Sequence, residues 1–191
     1  MLTELPKGIR RRSFLTAAGG AAGAVYGRIL WGQQRNYLTS DQALKLVFPK
    51  ADQILPETHT LTPEQESRVE TGLQLRLSTP TQSVYRGLVG GATDGYAMIL
   101  DEIGKSEFIT LVVGLNADFR IRRVALMTFR EIRGWEVSDA RFTNQFKGKS
   151  DKDPIAIGRD IVGITGATLS SRAFCRGARK AILVCEALYG S

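Results

Sequence analysis

The sequence predicts an α+β fold: an antiparallel sheet with flanking helices and a long C-terminal helix. Three observations predict it. Between Leu73 and Phe129, apolar residues alternate in short runs bounded by Gly, Pro, Asn and Asp, which is strand periodicity with turn chemistry between the strands. From Phe174 onwards the period becomes helical, with Phe174, Ala178, Ala181, Ile182, Cys185 and Leu188 on one face. Strands that follow one another and are then followed by one long helix form layers, with no repeated strand-helix-strand unit.

Taken in order, the chain begins with Arg10-Arg11-Arg12-Ser13-Phe14-Leu15, then a weakly apolar Ala/Gly run from Thr16 to Tyr26, then polar residues from Gly32 to Asn36. That basic, apolar, polar order resembles a twin-arginine export signal, and we expect residues 1–35 to be such a signal or an N-terminal anchor. The apolar run is about 13 residues, short of the roughly 20 that span a bilayer comfortably. Ala22-Gly23-Ala24 is a candidate cleavage site, and an uncleaved leader would remain as an anchor. Residues 36–82 are expected to be a helical and strand segment, and 83–191 the main domain.

Ser40 suits the cap of a helix over Asp41 to Val47, which Pro49 ends. Thr62-Pro63-Glu64-Gln65-Glu66 has a cap residue, proline at the first position and acids in the first turn, and starts a helix that stops near Gly72. Strands are expected over Leu73–Leu77, Val84–Val89, Tyr96–Ile103, Glu107–Leu115 and Phe119–Phe129, the last two joined by a turn at Asn116-Ala117-Asp118. The Glu107–Leu115 run is the most apolar and therefore the expected central strand. Arg120, Arg122 and Arg123 are expected to form a solvated face.

Two segments suit a ligand. Arg130 to Val137 is a loop with two arginines, Gly134 and Trp135, a set that can stack on a flat ring and pair with an anion, or equally a surface loop whose tryptophan packs back. Gly163-Ile-Thr-Gly-Ala-Thr168-Leu-Ser-Ser171 feeds a helix, and backbone N–H groups at a helix start suit a phosphate. On that stretch alone, Thr168 or Ser170 acting as an ordinary helix cap is the simpler expectation.

The charge of +7 is unevenly placed. Residues 1–35 hold Lys7, Arg10, Arg11, Arg12, Arg28 and Arg35 against Glu4 alone, so the remaining 156 residues carry only +2. A body so near neutrality gives no electrostatic case for a nucleic-acid partner. The single histidine, His59, excludes a histidine metal cluster, and no CxxC or CxxCH occurs. Cys175 and Cys185 are ten positions apart on one helix, about 15 Å of rise, too far for a disulfide. No lysine follows Gly163-Ile-Thr-Gly166 as a Walker motif requires.

Several of these landmarks together resemble the FMN-binding domain family, which includes the flavin-bearing C subunit of sodium-translocating NADH:quinone oxidoreductase and the G subunit of the Rnf complex. The resemblance runs over roughly residues 84 to 188. It is carried by the Gly95-Tyr96 strand start, the hairpin, the loop after Phe129, Arg141-Phe142 with Gln145-Phe146-x-Gly148-Lys149, and most specifically by Thr165-Gly166-Ala167-Thr168-x-Ser170-Ser171.

The resemblance implies FMN as cofactor, esterified through its phosphate to Thr168. It places Thr165, Gly166, Ala167, Leu169 and Ser170 along the phosphate and ribityl chain, with Lys149 nearby, and Glu131, Ile132, Arg133 and Gly134 in the second flavin-contacting loop. It also implies an electron carrier without a substrate of its own. Its partners would be a flavin transferase, the twin-arginine translocase and a membrane-associated electron-transfer protein, on the extracytoplasmic side. Two departures stand out: Val162 occupies the position six before Thr168 where the family has an acid, and Glu131-Ile-Arg-Gly134 replaces Glu-Thr-Pro-Gly. The alternative is a module of the same fold that holds FMN without the ester or serves only in binding.

Overall fold

The computed structural model describes residues 34–190. The expected leader therefore lies outside the described residues, apart from Gln34 and Arg35. Elements follow in the order β1 (Arg35–Asn36), α1 (Ser40–Val47), β2 (Gln53–Thr60), α2 (Pro63–Leu73), β3 (Thr81–Val89), β4 (Ala92–Ile103), β5 (Phe108–Asn116), β6 (Ile121–Phe129), α3 (Ala140–Thr143) and α4 (Thr168–Tyr189), with single 3-10 turns at Trp135–Ser138 and Asn144–Phe146. The strands form one antiparallel sheet in the order β1-β6-β5-β4-β3-β2. From β2 to β6 it is a meander, in which each strand pairs with the next in sequence. The α+β architecture with a long C-terminal helix is as the sequence predicts.

Both faces of the sheet are covered. On one face α4 lies across β4, β5 and β6, with α2 packed against α4. Met98, Leu111, Val113, Phe129, Phe174, Ala178 and Ile182 are buried together there. On the other face α1 presents Ala43, Leu44 and Val47 to Ala97, Val112 and Met127. This explains the apolar run of β5: Leu111 and Val113 face α4 while Val112 faces α1, so neither face of the strand meets water between Leu111 and Leu115. Gly114 is needed on the α1 side, because a Cβ there would stand 2.3 Å from Val47 Cγ1.

The helix starts follow the sequence closely. Thr39 and Thr62 cap α1 and α2, each in a reciprocal capping box with the glutamine three residues on. The cap of α1 is thus Thr39, one residue before the expected Ser40.

Two expectations are corrected, and one strand is present that none of them named. Leu73–Leu77 is not a strand: Leu73 ends α2, Gln74 turns left-handed at φ 57°, and the Leu77 N–H donates to Glu70 Oε1. The alternating leucines have a different cause, since Leu73 packs on the core from the end of α2 and Leu77 from the irregular segment after it, while Leu75 is exposed. Conversely, β2 was missed. It is an edge strand, half-exposed or exposed throughout, so it lacks apolar alternation and tolerates Pro56. Arg122 is not solvated: its guanidinium donates to Asp94 Oδ2 at 2.5 Å, to Asn116 Oδ1 at 2.7 Å and to the Val47 carbonyl at 3.3 Å. It closes the end of α1 onto the sheet. Among the described residues, no helix is long and apolar enough to cross a membrane.

Candidate functional site

The chain between the sheet and α4 borders an open cleft of about 500 Å³, lined by residues 157–159, 161–166 and 168. Pockets that hold small-molecule cofactors typically run from about 300 to 1,000 Å³. Gly166 turns left-handed at φ 81°, and the Ala167 N–H donates to the Ile164 carbonyl at 3.0 Å, which delivers the chain to the start of α4. The helix cap is Ala167, whose side chain offers no acceptor. The simple capping role is therefore not what Thr168 and Ser170 perform. Thr168 is the first helical residue, exposed at the mouth of the cleft, and Ser170 is buried in the first turn. Ser171, which had no assigned part, braces the turn: its hydroxyl donates to the Ala167 carbonyl at 2.9 Å and accepts from the Ile164 N–H at 3.3 Å.

A helix start without a side-chain cap, beside exposed Thr165 and Thr168, is a place where an anion finds backbone donors and hydroxyls together. Arg159 lines the cleft, and Arg172, also exposed, stands one helical turn after Thr168.

The wall of the cleft over residues 155–163 is held by polar residues from outside it. The Asp160 carboxylate accepts from Lys149 Nζ at 2.7 Å, from the Ile155 N–H at 3.1 Å and from the Ala156 N–H at 2.9 Å. Burial raises the Asp160 pKa, but these donors outweigh it and hold the carboxyl below its ordinary value. Lys149, assigned to the cofactor by resemblance, thus has its ammonium paired with Asp160. The Gln145 amide binds Val162, and the Val162 side chain is 75% exposed at the cleft.

The second loop meets the first at Gly134. Its φ is 99°, and a Cβ there would lie 2.7 Å from Ser170 Oγ and 3.3 Å from Ala167 Cβ. Two segments separated by more than thirty residues in sequence are thereby joined at the start of α4. Around this junction Ile132 is 69% exposed, Trp135 and Leu169 are each 43% exposed, and Arg133 is exposed. Trp135 does not pack back into the core. The Arg35 guanidinium lies 5.5 Å above its ring, placing β1 beside this loop.

Glu131 is the member of the set that points elsewhere. Its Oε1 accepts from the N–H groups of Lys105, Ser106 and Glu107 at 2.5, 2.6 and 3.0 Å, so the carboxylate holds the β4–β5 turn. Burial raises its pKa, yet the amides of Glu107, Ser106 and Lys105 together bring it below the ordinary value. A carboxylate with a depressed folded-state pKa contributes stability that is present above its unfolded value and lost as pH falls through the folded one. We expect thermal stability to fall between about pH 6 and about pH 3.5 by more in the wild type than in Glu131→Gln, because the amide cannot titrate. Equal acid losses in calorimetry would show that this carboxylate is not a source of the pH dependence.

Both cysteines are free and buried, and burial pushes the Cys175 thiol up to about 12, so it is not a thiolate at neutral pH.

Of the residues expected from the sequence, Gly134 lies beside Ala167 and Ser170, while Thr165, Gly166 and Thr168 line the cleft next to them along the chain. The sequence did not reveal that Asp160 and Gln145 shape the wall, because their partners are backbone groups and a lysine that only folding brings near.

Compared with known proteins, residues 104–183 match the model of the FMN-binding domain family. No curated protein matches the chain. A solved structure, that of Shewanella oneidensis NqrC, is similar at 15% identity and a TM-score of 0.47, over 75% of this chain and 82% of that one. The match over residues 104–183 supports FMN as the cofactor. The matched span contains the second loop, the cleft and the start of α4.

Proposed function

We propose that the chain, carrying an FMN-binding domain, is an exported flavoprotein electron carrier with FMN esterified through its phosphate to Thr168. It would relay electrons between a membrane-associated donor and another acceptor. The observation that carries the proposal is the convergence of the Gly134 loop on the uncapped start of α4, around an exposed Thr168. The residues present fit the group. Thr165 and Thr168 offer hydroxyls to its phosphate, Gly166 and Ala167 bring backbone close, and Arg133, Arg159 and Arg172 supply positive charge. Exposed Ile132, Trp135 and Leu169 give an apolar edge for a ring and for a docking redox partner. FMN, when bound, would supply the redox chemistry, and the part of the chain would be to hold it.

The test is co-expression of the full chain with a flavin transferase, followed by a denaturing gel. Flavin fluorescence that migrates with the chain is expected. Its absence beside a working control acceptor would remove the ester from the proposal.

A second reading, FMN held without the ester or a flavin-free binding module, is favoured by one observation. No acid substitutes for the one replaced by Val162, since the neighbouring Asp160 carboxylate is committed to Lys149 and two amides.

Export rests on the leader. Changing both Arg11 and Arg12 to Lys keeps the charge but removes the twin arginine, and is expected to leave the protein in the cytoplasm when cells are fractionated. Unchanged export of that variant would sink the twin-arginine route.

A further inference from the structure

We propose that Gln145 is the positioning residue of the FMN cleft, acting through the backbone of Val162; this rests on the reading that FMN occupies that cleft. Its side-chain amide makes two bonds to one residue. Nε2 donates to the Val162 carbonyl at 3.1 Å, and Oε1 accepts from the Val162 N–H at 2.8 Å. This is the pattern by which one strand pairs with another, supplied here by a side chain. The group must donate at one end and accept at the other, which a neutral amide does at every pH.

The anchor beneath Gln145 is rigid. It sits in the 3-10 turn Asn144–Phe146, and Phe146 is fully buried, with its ring 5.4 Å from Phe142 and 6.5 Å from Phe174. One turn later Lys149 grips Asp160, so a single segment holds the wall at two points two residues apart. Asp160 fixes the turn over residues 155–160, and Gln145 fixes the chain as it leaves that turn for Gly163 to Gly166. Beyond Val162 the wall is lightly tied, with the Ile164 N–H on the Ser171 hydroxyl and the Ala167 N–H on the Ile164 carbonyl. The direction in which Gly163, Thr165 and Gly166 line the cleft is therefore set at Val162. The side-chain hydrogen bonds of Gln145 reach the cleft lining only at Val162.

The proposal predicts a signature that loss of packing alone does not give. In Gln145→Leu both bonds are lost at every pH. In Gln145→Glu, the ionised carboxylate still accepts from the Val162 N–H but cannot donate to the carbonyl, and it repels that oxygen. Once protonated, the carboxyl regains a donor, and bonding of its neutral form raises its pKa.

Full-length chain, produced without a flavin transferase so that no ester forms, would be titrated with FMN at about pH 8 and about pH 4.5. Relative to wild type at the same pH, Gln145→Leu is expected to bind roughly fivefold more weakly at both, the worth of about one net hydrogen bond. Gln145→Glu is expected to match Leu at the higher pH and to recover to within about twofold of wild type at the lower. In parallel, hydrogen exchange of FMN-free chains is expected to be faster at Val162 in Gln145→Leu, with Ala156, held by Asp160, unchanged.

Wild-type binding with an unaltered Leu variant, or a Glu variant without recovery, overturns the positioning role and leaves the FMN reading standing. Undetectable FMN binding by the wild type overturns both, and unaltered exchange at Val162 removes the clamp itself.

Discussion

Thr168→Val is expected to abolish flavin fluorescence on a denaturing gel after co-expression with a flavin transferase, while leaving the fold unchanged. The substitution is nearly isosteric and removes the hydroxyl through which the ester would form. Thr168 is exposed and its side chain caps nothing, since Ala167 holds the cap position without a side-chain bond. An exposed change of this kind usually moves stability by no more than about 0.5 kcal/mol. The expected outcome is therefore all-or-none in modification against a near-constant melting temperature. Thr165→Val is the matched control, because Thr165 is also exposed and lines the same cleft. It should retain the covalent signal. Loss of the signal in Thr165→Val with retention in Thr168→Val would transfer the attachment to the other threonine and defeat the assignment.

The second large effect is expected from Asp160→Ala. This carboxylate neutralises Lys149 and satisfies the Ile155 and Ala156 amides, and both side chains of the ion pair are mostly buried, at 20% and 16% exposure. Its removal leaves a mostly buried ammonium and two amides without their acceptor. Partial solvent access moderates the penalty, so the expected loss is about 2–3 kcal/mol, read as a lowered denaturant midpoint. Asp160→Asn should fall between, since it keeps an acceptor for the amides and loses only the charge. The folded-state pKa of Asp160 lies below its ordinary value, so the stabilisation is present above the unfolded pKa of about 3.9 and is lost as pH falls through the folded value. The deficit of Asp160→Ala against wild type should accordingly shrink in acid. A deficit that stays constant down to the acid transition would mean that the charge on Asp160 is not what holds the wall.

The two predictions probe different layers of the site. Thr168 concerns what the cleft presents, and Asp160 concerns what gives the cleft its shape. A chain with Asp160→Ala and an intact Thr168 is expected to take up less FMN although no residue proposed to face the phosphate has changed.

Local chemistry was legible from the sequence. Thr62 with Pro63 and the acids after it marked the start of α2, because a cap is satisfied within one turn, whereas the cap of α1 fell at Thr39, one residue before the expected Ser40. The meander from β3 to β6 followed from alternation and turns, since consecutive antiparallel strands need only their own neighbours. The placement of Thr165 to Thr168 at the entry to a helix was legible because the motif and the helix start are contiguous in the chain.

Tertiary structure decided what depends on residues far apart. Leu73 and Leu77 alternate like a strand, but their partners are core residues and not a neighbouring strand. β2 shows no pattern because an edge strand is half in water, and only β3 makes it a strand. Arg122 reads as a surface charge until Asp94, Asn116 and the end of α1 close around it. Glu131 and Lys149 were assigned to the ligand by position, yet each carries a charge that a nearer partner takes up first, the β4–β5 turn amides for one and Asp160 for the other. A short motif can specify which groups are offered. Which of them remain available is settled by the donors and acceptors that the fold brings within about 3 Å.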